Sequence, residues 1–141
     1  MIEESVRLLA IGSDGKTMID TKILDAAVSD LRNILRDGLV ATDIWDRTAG
    51  LSLAGYNQQP VAVALFTRIT QELESSLVDS SFPPLARYYL LDMEGNHTAV
   101  VVNHGTLLQG MLVDNKRANL GILIAVAIPR MLESVARAKL R

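Results

Sequence analysis

His97-Thr98-Ala99-Val100-Val101-Val102-Asn103 is the stretch that decides the fold. Ala99, Val100, Val101 and Val102 are apolar at consecutive positions. On a strand, successive side chains leave toward opposite faces, so a strand here needs cover on both sides of its sheet. Residues 87–92 and 106–113 read as strands on either side of it, joined through Glu94-Gly95-Asn96 and His104-Gly105, which are short turn-forming links. The three make an antiparallel meander. Upstream, residues 39–45 and 51–56 form a hairpin around the turn Asp46-Arg47-Thr48-Ala49-Gly50.

The covering layers come from three helical patterns. Ile23, Ala27, Val28, Leu31, Ile34 and Leu35 follow one buried stripe, with Asp20 or Thr21 as cap and Gly38 as the expected left-handed stop. Pro60 suits the first turn of a second helix reaching Val78, along which Val61, Leu65, Ile69, Leu73 and Leu77 recur every fourth position. Thr67, Arg68, Gln71, Glu72 and Ser75 fall on its opposite face, whereas Ala62 and Phe66 widen the stripe beyond what one sheet contact needs. A third helix runs over 118–139. Its segment 120–128 is apolar around the circumference, which places it between the sheet and the first helix; Gly121 allows close approach to another backbone, and Pro129 kinks it. The expected fold is α+β, a five-stranded antiparallel sheet with helices on both faces in the order α-β-β-α-β-β-β-α.

The 141 residues suit one domain, read as an amino-terminal extension over 1–19 followed by the domain proper over 20–141. Hydrophobic residues make up 49% and charged ones 21%, enough to bury a core. A formal charge of −2 lacks the basic excess of nucleic-acid binders. The apolar run 120–128 is too short for a bilayer span, and Glu3, Glu4 and Arg7 interrupt any secretory core, so membrane insertion is not expected. The absence of cysteine removes thiolate chemistry and suits a reducing compartment, with the cytoplasm as default.

The element order, together with Ala118-Asn119-Leu120-Gly121 at the entry to the last helix, resembles the roadblock family of the longin and profilin-like folds. Asp46 through Gly50-Leu51 and Leu91-Asp92-Met93-Glu94-Gly95 add looser matches. The resemblance implies a dimer built by the second helix and the third strand. Its interface residues would be Ala62, Phe66, Ile69, Arg87, Tyr88, Tyr89 and Leu90. Physical reasoning points the same way, since an unpaired edge strand carrying Tyr88, Tyr89, Leu90 and Leu91 is an aggregation hazard unless another chain covers it. The alternative is that these tyrosines pack inward. Family resemblance further implies a platform for a small Ras-like GTPase, as in the bacterial gliding-motility type, with Thr67, Arg68, Gln71, Glu72 and Ser75 as the region a partner touches. Arg68 is read there as a solvated helix arginine, not as an inserted catalytic finger.

Ala10-Ile11-Gly12-Ser13-Asp14-Gly15-Lys16-Thr17 is a relaxed match to a phosphate loop, and with Asp92 it sketches a nucleotide hydrolase. Asp14 would put a carboxylate among the phosphates, and the strands form hairpins instead of parallel crossovers. His97 and His104, seven positions apart, point to opposite faces and read as exposed turn-flanking side chains, with no metal cluster around them. Carboxylates occur singly, Ser52 lacks a nucleophile elbow, and Trp45 reads as core. No catalytic residue and no cofactor are expected. The leading reading is a homodimeric GTPase regulator or scaffold; the alternatives are a structural tether without a GTPase and, more remotely, a hydrolase using Gly15, Lys16, Thr17 and Asp92.

Overall fold

The structure, a computed structural model, describes residues 8–11 and 17–140. Its main sheet is fully antiparallel, with the order β4-β3-β7-β6-β5. The strands are β3 (Leu39–Asp46), β4 (Leu51–Tyr56), β5 (Tyr88–Met93), β6 (His97–His104) and β7 (Leu107–Asp114). Ala99, Val100, Val101 and Val102 on β6 are all buried, so both faces are covered as the sequence requires. Helix α1 (Thr21–Leu35) and the carboxy-terminal helix cover one face through Leu31, Leu123, Ile128 and Met131, packed on Val100, Val102, Met111 and Val113. Helix α2 (Pro60–Asp79) covers the other, where Val63 and Phe66 meet Trp45, Val101 and Leu108. A bulge between Leu39 and Ala41 turns β3 so that Leu39 packs toward α1 while Trp45 packs toward α2.

Helix α1 is capped by Asp20, whose Oδ1 accepts from the Lys22 amide at 3.0 Å. Its stop differs from the sequence expectation. The positive φ belongs to Arg36 (φ 52°, ψ −129°), at the head of the 3₁₀ turn Arg36–Gly38, whereas Gly38 is not among the residues with positive φ. Glycine serves a different purpose at 38. A Cβ there would lie 2.3 Å from the Cβ of Ala118 and 2.9 Å from its backbone. Gly38→Ala should therefore cost about 2 kcal/mol through overpacking, read as a lowered urea midpoint at constant m value.

The last helix is also less regular than its periodicity suggests. It comprises α3 (Leu120–Ile122), a π-helical stretch (Leu123–Ala127) and α4 (Ile128–Ala138). Asn119 caps it, accepting from the amides of Gly121 at 2.7 Å and Ile122 at 3.2 Å. Pro129 has no N–H to return to Ala125, and the widened π turn just before it accommodates that gap. The expectation that 120–128 is enclosed fails for six of its nine residues. Leu123, Ala127 and Ile128 are buried, but Leu120, Ile122, Ile124 and Val126 are 37–48% exposed, because a single helix–sheet contact covers only one stripe. A Cβ on Gly121 would meet the Asn119 side chain, not a neighbouring backbone.

Beyond the predicted elements, β1 (Leu8–Ile11), β2 (Thr17–Asp20) and β8 (Lys139–Leu140) form a second, three-stranded antiparallel sheet. Ile19 in β2 is fully buried beside Leu24, Val135 and Ala138. The segment before residue 20 is thus woven into the fold where it is described. Gly15 and Lys16 lie outside the described residues. The stretch that contains them runs from β1 into the antiparallel β2, so a strand, and not the helix of a phosphate loop, follows it. Among the described residues, no helix is long and apolar enough to cross a membrane.

Candidate docking face on α2 and β5

The α2 helix begins where β3 and β4 hold it. Asp43, buried on β3, accepts from the Gln59 amide through Oδ2 at 2.9 Å and from Ser52 Oγ through Oδ1 at 2.8 Å. This carboxylate substitutes for a local cap, since Gln59 makes no capping bond of its own and Pro60 opens the first turn. Further along, α2 meets the sheet through a polar line. Trp45 Nε1 donates to Thr67 Oγ1 at 2.8 Å, and Thr67 donates to the Val63 carbonyl at 2.7 Å. Thr70 Oγ1 lies 2.8 Å from the Tyr89 hydroxyl and 2.7 Å from the Phe66 carbonyl. Arg47 clamps Glu74 with two bonds, at 2.7 and 3.2 Å. Burial pushes the Tyr89 hydroxyl above its ordinary pKa, with the Thr70 bond pulling the other way.

These bonds fix which side of α2 faces its own sheet, and it is not the every-fourth apolar stripe. Only Val63 and Thr70 are buried on the helix. Val61 is 80% exposed and Leu65 41%, and Val78 is also open. Ala62, Phe66 and Ile69 are half-buried on the flank between the sheet-facing line and the solvent face. Beneath that flank lies an apolar cavity of about 180 Å³ whose lining includes Ala62, Leu65 and Phe66 from α2, Trp45 and Gly110 from the sheet, and Met93 from β5. The apolar flank therefore runs without a break toward β5.

Among the described residues, strand β5 is an edge of the sheet, paired on one side only, with β6. Tyr88, Tyr89, Leu90 and Leu91 are half-buried, and Asp92 and Met93 are exposed. Tyr88 and Leu90 pack toward α1 and the last helix, Tyr89 toward α2. The inward packing of the aromatic rings and an open backbone edge thus coexist. Arg87 precedes the strand; its carbonyl accepts from the Asn103 amide at 2.7 Å, and its guanidinium sits 5.9 Å from the centre of the Tyr88 ring.

Of the residues expected on the outer face of α2, Arg68, Gln71, Glu72 and Ser75 are exposed together. Thr67 departs from them. Its hydroxyl is engaged by Trp45 and it faces the sheet, which the sequence concealed because threonine is equally at home on a solvated face. His104 is a second departure. Instead of flanking a turn in solvent, it is buried, with Nε2 3.0 Å from Gln109 Oε1 and with the Lys139 ammonium donating to its carbonyl. His97 is half-buried, on the opposite face. No group of three potential metal ligands occurs among the described residues.

A meander sheet with one helix on one face and two on the other, and with β5 as an open border, is the roadblock fold. Among solved structures with this architecture, Myxococcus xanthus MglB superposes with a TM-score of 0.67 at 8% identity, over 86% of this chain and 94% of that one. The gliding protein MglB from Thermus thermophilus superposes at 0.64 with 15% identity, over 96% of this chain and all (100%) of that one. A Roadblock/LC7 domain from Streptomyces avermitilis gives 0.56 at 15% identity, over 80% and 92%. No family model matches the sequence, and no curated protein matches it. At such identities the likeness is one of fold.

Proposed function

We propose that this chain is a homodimeric roadblock-type regulator or scaffold, and that its paired α2 helices form a platform for a small Ras-like GTPase. The observation that carries the reading is the flank of α2. Its apolar residues Val61, Leu65 and Ile69 are left exposed or half-buried beside the sheet-facing line, and the apolar flank continues toward the β5 edge. A second copy related by a two-fold axis covers both features at once, joining edge to edge and flank to flank. In that arrangement Ala62, Phe66, Ile69, Arg87, Tyr88, Tyr89 and Leu90 lie at or beside the junction. The gliding-protein neighbours are of the bacterial type from which the sequence resemblance drew its GTPase partner.

The polar strip Arg68, Gln71, Glu72 and Ser75 would then rim the platform. Its residues suit reversible docking: they are exposed, uncommitted to the sheet and mixed in charge. The chain supplies no catalytic constellation of its own in this reading, so any effect on hydrolysis acts through the groups of the GTPase. Replacing Arg68 and Gln71 together by alanine should weaken binding of a purified Ras-like GTPase by at least about tenfold while leaving the dimer intact by light scattering. Equal binding by the variant would move the docking site elsewhere, and a dimer that binds no such GTPase would favour the tether.

A further inference from the structure

On the side of the sheet opposite α2, a cleft of about 760 Å³ opens between the end of α1, the 3₁₀ turn, the end of β4 and the loop after β7. Arg32, Arg36 and Arg117 line it, in a chain whose net charge is −2. Asp37 is the one carboxylate among the lining residues, so the three guanidiniums outnumber it. No carboxylate pairs with Arg32 or Arg36 among the described residues, and Arg117 reaches Asp114 only at 3.8 Å. The Arg32 guanidinium lies 3.9 Å over the centre of the Tyr56 ring, a stack that holds its plane in place without neutralising it.

Arg36 adds an independent sign. It occupies φ 52°, ψ −129°, a backbone region that glycine enters freely and other residues enter at a cost. The exposed Arg36 side chain adds a cationic group to the lining of the cleft. Ser29 and Asn33, both exposed, add neutral hydrogen-bonding groups.

We propose that this cleft binds a phosphate-bearing ligand, with Arg32, Arg36 and Arg117 holding the phosphoryl group. A phosphomonoester carries roughly two negative charges and three strong acceptor oxygens; the oxygens match the three guanidiniums in number, and the charge answers their local excess. A single carboxylate offers only two oxygens to three guanidiniums. Because the carbonyl end of α1 lies at the same place, its dipole opposes the anion, and the attraction comes from side chains alone. Binding is therefore steeply salt-sensitive. The site lies across the sheet from the α2 platform and stands whether or not that platform binds a GTPase.

The test titrates the full chain with inorganic pyrophosphate at low salt, and separately sediments it with phosphatidylcholine vesicles with or without phosphatidic acid. A pyrophosphate-dependent rise in Tm that salt abolishes assigns the site to free phosphates. Retention only on phosphatidic acid vesicles assigns it to a lipid headgroup, and either result supports the proposal. Arg36→Gly should raise the unliganded Tm by roughly 3 °C, through relief of backbone strain, while abolishing the response. Arg117→Ser should weaken binding at least tenfold at unchanged Tm. The proposal is overturned if neither probe binds, or if both variants bind as the parent does.

Discussion

Leu65→Arg should break the proposed dimer, raising its dissociation constant at least about a hundredfold, which corresponds to roughly 3 kcal/mol. Leu65 is 41% exposed in the single chain and lines the apolar cavity between α2 and β5, so its side chain contributes little to the protomer and much to whatever covers the flank. In a two-fold interface each substitution counts twice, and two guanidiniums enter a region that a copy would desolvate. The protomer itself should keep its urea stability within about 1 kcal/mol, because the position is open and the polar line from Thr67 to Glu74 is untouched. Sedimentation at micromolar concentration decides the matter. A parent chain that sediments as a monomer, or a variant that still dimerises, would remove α2 from the interface.

Acid should destabilise the protein by about 3 kcal/mol between pH 6.5 and 4, and His104 should account for that loss. Burial is the main cause that lowers its pKa from 6.5 to about 4; the Lys139 ammonium pushes the same way, and the Gln109 bond pulls back. Between these values the unfolded chain holds a proton that the folded imidazole refuses. Stability is thus fully present above pH 6.5 and drains away as the pH falls toward 4. On a domain of this size the expected fall in Tm is roughly 10 °C. His104→Gln removes the titration while keeping a group that can bond Gln109, so its Tm should change far less over the same interval, apart from carboxylate contributions. Parallel curves for parent and variant would exonerate the imidazole.

Much of this architecture was legible because it rests on short-range rules. Consecutive apolar residues at 99–102 required cover on both faces, Asp20 announced the start of α1, and Asn96 with Gly95 supplied the positive φ of the β5–β6 turn. Failures cluster where distant residues meet. Gly38 reads as a local stop, yet its neighbour is Ala118, eighty positions away, and nothing near it in the chain reveals that. Likewise β8 becomes a strand only by pairing with β2, so its residues read as a helix end.

The candidate face was partly visible too. The surplus of apolar positions on α2 signalled a second packing partner, but the sequence assigned the wrong stripe to the sheet. Polar residues share the actual contact with Val63 and Phe66: Thr67 with Trp45, Thr70 with Tyr89, and Glu74 with Arg47. A hydrophobicity pattern cannot anticipate a helix docked by hydrogen bonds, since it ranks those same positions as solvent-facing. His104 escaped for the same reason, its shelter being built by Gln109 from β7 and Lys139 from β8.

The π-helical stretch at Leu123–Ala127 acts as a phase shifter within the last helix. One surplus residue per widened turn offsets the two α-helical halves angularly, so the rod anchored by Met131 and Val135 does not dictate which way Leu120, Ile122 and Ile124 look. Removing a single residue there would restore uniform winding and swing the leading half by about a quarter of a revolution relative to its anchor. The amino-terminal half can consequently change its outward composition without disturbing the buried seam behind it.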